Sequence, residues 1–311
     1  MHTHKAILDT FDVHSIPELD IVVLGALELF ETMPLSKLSF SQTDKMLVLG
    51  SGNAYLTAKI VFSDADAVFA DESSYQKVLE SDIGIDKAAV FSASGSKHSI
   101  SMITDLLQKG YEVHLITNTK KSPAAELLKE EFVHIFPKNR EPYTYNTSTY
   151  LSIIFGKTNE NPSSILSFIQ KEVEPRLLRN FDDYNAYTLL IPPCLQHARD
   201  MFRTKFDELF GPMVTGRVFT TEEVKHAKTI IPSGSELFIS FGVENKQYGI
   251  PKNRLHIPLS ENADYAAIIA IGYFVIGRIQ KAHPPYFKNN IADYVQKASK
   301  IFNQELQVIV E

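Results

Sequence analysis

Val90-Phe91-Ser92-Ala93-Ser94-Gly95-Ser96-Lys97-His98-Ser99 is the stretch whose reading decides the fold. It leaves a short apolar strand, 87–91, and runs through a turn of small residues into a helix over 100–110. A second strand follows at 111–117 and ends at Asn118. Strand, turn, helix and strand in that order form the unit that builds a parallel sheet. Hydroxyls and unsatisfied backbone N–H groups at a helix start attract anions, so the turn suggests a phosphate site.

The same alternation extends outward on both sides. Upstream lie a strand at 45–50, a turn at Ser51-Gly52-Asn53, a helix at 54–63, a strand at 67–70 and a helix at 73–81. Downstream come a helix at 123–131, a strand at 133–136 and a helix from 147 to 155. Five strands alternating with helices predict a doubly wound parallel sheet. Before it stands a helix at 16–33, with Asp20 and Glu28 among its polar positions, and a polar connector at 34–44. Asn159-Glu160-Asn161-Pro162-Ser163-Ser164 reads as a linker and helix start. The pattern then repeats: a helix at 165–178, a strand at 187–191, a helix at 195–209 and strands at 237–241 and 254–257. Helices at 263–278 and 290–304 follow, with 305–310 a strand or tail. The expectation is two α/β halves, 1–158 and 159–311.

Composition narrows the class. The chain has 311 residues, 44% hydrophobic and 22% charged, with a formal charge of −6. That balance lacks the basic footprint of a nucleic-acid binder. The single cysteine, Cys194, excludes an intramolecular disulfide framework and fits a reducing compartment. The longest apolar run, 265–277, falls short of the roughly 20 residues a bilayer span needs and reads as a buried helix. The first ten residues lack the apolar core of a signal peptide. A cytoplasmic protein with neither a membrane nor a nucleic-acid partner is expected. A G-x-G-x-x-G run after a strand is missing, which speaks against a dinucleotide. With His, Asp and Glu scattered along the sequence, neither a metal nor another cofactor is expected.

Several motifs carry a resemblance. Phe91-Ser92-Ala93-Ser94-Gly95-Ser96, the helix after it, and Gly110 through Thr117-Asn118 resemble the sugar isomerase (SIS) domain family. Lys120-Lys121-Ser122-Pro123-Ala124-Ala125 is similar to that family's Ser-Pro-Leu-Ala stretch. Glu141 followed by Thr147 and Tyr150 is similar to its Glu-then-Thr-x-x-Tyr helix entry, and 70–75 to a segment of its amino-sugar branch. Two such halves in one chain resemble the isomerase part of glucosamine–fructose-6-phosphate aminotransferases and the bifunctional phosphoglucose/phosphomannose isomerases. Lys205-Phe206-Asp207-Glu208 and Glu223-Val224-Lys225-His226 match the former's Lys-x-x-Glu and Glu-x-x-His. Phe206-Asp207-Glu208 is also similar to the Phe-Asn-Glu of the latter.

The resemblance implies two SIS-type, flavodoxin-like αβα subdomains and a phosphorylated sugar or aminosugar as ligand. It assigns the phosphate to Ser92, Ser94, Gly95, Lys97 and Ser99, with Ser51, Gly52 and Asn53 in the partner loop. Lys97 stands where the family has Thr, and Asn53-Ala54 where it has Gly-Thr-Ser hydroxyls. Glu208 becomes the base that moves a proton between C1 and C2 of a hexose 6-phosphate. His226 becomes the ring opener, supplied by the neighbouring subunit of a homodimer. Ala227-Lys228 follows it in place of the family's Gly-Pro. Lys297 or Lys300 is the candidate lysine closing the site. Each motif also has a plainer reading: a serine-rich helix cap for 92–99, an ordinary β–α turn for 50–53, and a helix-surface ion pair for Lys205 and Glu208. The enzymatic reading is an isomerase or an aminosugar-phosphate deaminase. Its rival is a non-catalytic protein that binds a sugar phosphate and regulates a partner.

Overall fold

The structure, a computed structural model, describes residues 3–40, 45–81, 83–227, 229 and 231–311. The end of the polar connector, 41–44, and Lys228 lie outside the described residues. In chain order, two helices come first, α1 (Thr3–Thr10) and α2 (Leu19–Thr32). Then follow β1 (Met46–Gly50), α3 (Gly52–Val61), β2 (Ala67–Ala70), α4 (Tyr75–Glu80), β3 (Lys87–Phe91), α5 (His98–Gln108), β4 (Glu112–Thr117) and β5 (Val133–Ile135). The remainder runs β6 (Glu141–Pro142), α6 (Thr147–Lys157), α7 (Pro162–Phe168), β7 (Ala186–Ile191), α8 (Arg199–Phe210), β8 (Thr215–Thr220), β9 (Glu236–Phe241) and β10 (Arg254–Ile257). It closes with α9 (Tyr265–Ala282), α10 (Tyr286–Ile301) and β11 (Ile309–Val310).

These elements fall into two compact units, neither a continuous stretch. One holds Met33–Lys138 and Thr149–Asn159; the other holds Met1–Thr32, Asn139–Ser148 and Glu160–Glu311. The expected division at 158/159 differs from this, because α2 packs along α9 and the segment from 139 to 148 bonds to residues of the second half.

The first unit carries the five-stranded parallel sheet in the order β2-β1-β3-β4-β5. Its central strands are apolar on both faces, as a sheet covered on both sides requires. Leu47, Leu49, Val90 and Leu115 point to one core with Leu106 of α5; Val48, Phe91 and Ile116 point to the other with Phe136 and Ile153.

The second unit has a four-stranded parallel sheet, β10-β9-β7-β8. α9 is its central helix, buried at every position from 265 to 277, which is why the sequence there is apolar all round. At Gly277 a Cβ would lie 2.0 Å from the backbone nitrogen of Asp20, so α2 and α9 meet backbone to backbone.

The structure corrects several expectations. β8 was not foreseen: Thr215-Gly216-Arg217-Val218-Phe219-Thr220 breaks the apolar pattern with glycine and arginine. Gly216 is small because the ring of Phe206 occupies the space its Cβ would take, 2.0 Å from Phe206 Cγ. α1 was also missed. The helix expected at 123–131 is two 3-10 turns, Ala125–Leu127 and Glu130–Phe132. The helix at 165–178 changes to π geometry at Ile169–Val173 and ends in a 3-10 turn at Glu174–Arg176, where Pro175 lacks an N–H to continue it. The tail at 305–310 ends in β11, antiparallel to β6. Asp20 and Glu28, expected at polar positions, are buried.

Gly277→Ala is expected to lower unfolding stability by about 1–3 kcal/mol through overpacking against α2. Gly234→Ala, where a Cβ meets nothing within 4 Å, is the near-neutral control in the same urea titration.

Candidate functional site

In the five-stranded sheet the chain runs from β1 to β2 on one side and then to β3 on the other. This reversal opens a crevice at the carboxyl ends of β1 and β3, the general ligand position in doubly wound sheets. The loops that flank it are Ser51-Gly52-Asn53 and 92–97, both foreseen as binding loops. Ser51 precedes α3 without spending its hydroxyl on a cap, and Gly52 has φ of +52° with open space around it. The side chain of Thr57 donates to the carbonyl of Asn53 at 2.8 Å.

The second loop is knitted to the chain after β4. Asn118 N–H and the hydroxyls of Thr117 and Thr119 all donate to the Ala93 carbonyl, and Ala124 N–H donates to Gly95. Gly95 has φ of +58°, and a Cβ there would sit 2.1 Å from Ser122 Oγ. Within the loop the Ser92 hydroxyl accepts from Gly95 N–H, and the hydroxyls of Ser94 and Ser96 bond at 2.7 Å. Ser99 is buried and donates to the Ser96 carbonyl, so it braces the loop from inside. Among the described residues, no acceptor meets the N–H groups of Ser94, Ser96 and His98. Those donors, at the start of an 11-residue helix, fit an anion. Lys97 is exposed and holds φ of +58° at the α5 entry, a conformation that costs a non-glycine residue about 1–3 kcal/mol.

The second unit brings together a different set. Glu208 lies near the end of α8, at the amino edge of the four-stranded sheet, because α8 returns from the carboxyl end of β7 to the start of β8. Lys205, one turn earlier and 1% exposed, donates to Glu208 Oε2 at 2.6 Å and to the Thr144 carbonyl at 2.7 Å. Burial pushes the Glu208 carboxyl above the usual carboxylate range, and the Lys205 ammonium pulls it back only in part. This is not the exposed helix-surface pair of the plainer reading. A cavity of about 610 Å³ opens beside it, between α8 and α10, lined among others by Thr144, Asp207, Glu208, Asn290, Tyr294 and Lys297. Lys297 therefore shares the cavity with Glu208, but its ammonium pairs with Asp293 at 2.6 Å. Lys300 is not among the lining residues.

The cavity wall includes a turn that the sequence did not flag. Tyr145 N–H donates to the Pro142 carbonyl, and Thr144 inside this turn has φ of +73°, rare for a β-branched residue. Around it, only Glu141, Thr147 and Tyr150 belong to a sequence motif. Glu141 is buried and accepts from Thr147 N–H and Ser148 N–H, each at 2.6 Å. No glycine marks the Thr144 position, so turn chemistry offered no signal.

His226 stands elsewhere. It ends a 3-10 turn, Glu223–His226, after the carboxyl end of β8, and is exposed. Glu208 precedes β8 and His226 follows it, so the two lie at opposite edges of one sheet, separated by a strand length of roughly 20 Å. Glu223, in the same motif, pairs with Arg199 and accepts from Thr220 N–H, which holds its carboxyl below the usual range.

A carbon-13 titration of the glutamate carboxyls, assigned by the loss of one signal in Glu208→Gln, is expected to place Glu208 above an exposed glutamate. Lys205→Met should raise that midpoint further, because it removes the one cation that lowers it. A carboxyl with a raised folded-state pKa stabilises the fold below the ordinary carboxylate range and loses that contribution as pH rises through the folded value. Lys205→Met should therefore cost about 3–5 kcal/mol at pH 8. The cost should shrink at pH 5, where Glu208 can take up a proton.

No family model matches the sequence, and no curated protein matches it. Solved structures do. A glucosamine-6-phosphate deaminase from Thermotoga maritima superposes with a TM-score of 0.56 at 16% identity, over 85% of this chain and 92% of that one. The C-terminal domain of glucosamine-fructose-6-phosphate aminotransferase from Francisella tularensis gives 0.57 at 12%, over 90% and 96%. Tagatose-6-phosphate ketose/aldose isomerase from Escherichia coli gives 0.56 at 11%, over 86% and 88%. Identities this low speak for the fold: the chain has the SIS-type double α/β fold found in phosphosugar isomerases.

Proposed function

We propose that the chain is a phosphosugar isomerase or aminosugar-phosphate deaminase acting on a hexose 6-phosphate type of substrate. The observation that carries this reading is Glu208: a half-buried carboxyl, held by a buried lysine, on the wall of a cavity large enough for a sugar. A base for enediol chemistry needs a pKa lifted toward neutrality, and burial supplies that lift. Glu208 removes the proton from the carbon beside the carbonyl, and the C–H electron pair forms the C1–C2 double bond as the carbonyl oxygen gains a proton. Return of the proton to the former carbonyl carbon, with loss of the hydroxyl proton on the other carbon to form the new carbonyl, completes the isomerisation; with an amino group at C2 the same shift gives a C2 imine, and addition of water there releases ammonia and leaves the ketone. The phosphate candidate of the other unit is the Ser92–Ser99 loop, with the N–H groups of Ser94, Ser96 and His98 as donors and Ser51, Gly52 and Asn53 across the crevice. Lys297 carries the cation of the Glu208 cavity.

His226 opens the sugar ring from a partner subunit in a homodimer. Its place at the sheet edge opposite Glu208 supports a role in another protomer's site. The rival, a sugar-phosphate sensor without turnover, draws on the same placement and on the Asp293 pairing of Lys297.

Fructose 6-phosphate, glucosamine 6-phosphate and mannose 6-phosphate are the substrates to test, with sugar products and ammonia followed separately. At least one should turn over, with an acid limb in kcat/KM above the ordinary glutamate range that disappears in Glu208→Gln. Unchanged turnover in that variant would sink the proposed base, and tight binding of all three without product would establish the sensor. Gly95→Ala should abolish phosphosugar binding by calorimetry. Equal mixing of inactive Glu208→Gln and His226→Ala subunits should restore about a quarter of wild-type activity, because half the dimers then hold one intact site. No recovery would place His226 in its own subunit's site, and wild-type activity of His226→Ala alone would place it outside the chemistry.

A further inference from the structure

The turn at 142–145 is held against its own preference from several directions. Tyr143 N–H donates to the Val308 carbonyl at 2.8 Å, and β11 pairs with β6 just before it. The Glu141 carboxylate is anchored on the first N–H groups of α6. The Tyr145 hydroxyl donates to the Pro17 carbonyl at 3.0 Å and accepts from Gln280 at 2.9 Å. A β-branched residue at φ of +73° persists only where its surroundings over-determine it, and these contacts do so. Its side-chain hydroxyl is buried with no hydrogen-bond partner among the described residues, a second local cost at the same residue. The conformation turns the Thr144 carbonyl onto Lys205, whose ammonium also holds Glu208 and lies 5.5 Å from the Tyr273 ring.

We propose that Thr144 is a positioning residue: its left-handed turn fixes the Lys205 ammonium through the main-chain carbonyl, and Lys205 in turn fixes the Glu208 carboxylate on the cavity wall. The useful atom is the carbonyl oxygen, so the side chain is replaceable and the backbone angle is not. This rests on Glu208 as the proton carrier for its consequence in catalysis, but the physical chain Thr144–Lys205–Glu208 is measurable without any substrate.

Two variants separate angle from side chain. Thr144→Gly adopts positive φ without strain, so it should leave the Glu208 carboxyl titration close to wild type. Thr144→Pro locks φ near −65° and swings the carbonyl away. It should raise the Glu208 midpoint and lower kcat about a hundredfold with little change in KM. A folded Thr144→Pro protein with an unmoved Glu208 midpoint would overturn the proposal. A wild-type measurement keeps the question open to test if that variant does not fold. With nitrogen-15 in lysine side chains and carbon-13 in threonine carbonyls, a scalar coupling should appear across the Lys205–Thr144 hydrogen bond. It should persist on both sides of the Glu208 titration. Absence of the coupling, or its loss when Glu208 protonates, would show that Lys205 is not anchored by Thr144. If the coupling persists and Glu208→Gln leaves turnover intact, the positioning chain stands and the assignment of the base fails.

Discussion

One buried ammonium organises the second unit. Lys205 is almost wholly removed from water, and a charge in that position is stable only when paired and hydrogen-bonded. It is satisfied by a carbonyl from the 142–145 turn and by the Glu208 carboxylate. That requirement ties the turn to α8 although they are 61 residues apart in sequence. It also explains why Glu208 keeps a defined direction while its proton affinity is lifted. The same lysine that steadies the carboxylate is too weak a counter-charge to cancel the effect of burial.

Carboxylates recur as remote caps on helix starts. Glu28 of α2 accepts from His4 and Lys5 N–H at the start of α1. Glu141 does the same for α6, and Glu160 accepts from the N–H groups of Asp264, Ala266 and Ala267 at the start of α9. Each satisfies donors that a helix leaves open and complements the positive end of its dipole. Acidic residues that pattern alone assigns to solvent thus become fixed points of the fold.

The five-stranded sheet was legible almost strand for strand, because its strands are short, largely apolar runs, and β1 and β3 are closed by small-residue turns. The loops 50–53 and 92–97 were legible for the same reason. β8 was not, since its glycine and arginine answer to Phe206 and Glu236, residues brought near only by folding. Lys205 and Glu208 were found by their spacing and by resemblance, but that spacing is equally that of a surface ion pair. Thr144 was invisible: its importance lies in a main-chain angle, and threonine is not a residue that advertises a left-handed turn.

The sequence by itself determined that this is an α/β chain built on parallel sheets, with a serine-rich loop after one strand and a lysine–glutamate pair on a later helix. Those features are local, written in the alternation of apolar runs with turns and in residue spacing on a helix. Only the tertiary structure decided which residues share a site. It placed Lys297 beside Glu208, moved His226 to the far edge of the same sheet, and bent Thr144 into the turn that meets Lys205. Burial, cavity shape and backbone strain arise from contacts between segments distant in the chain, and no window of sequence contains them.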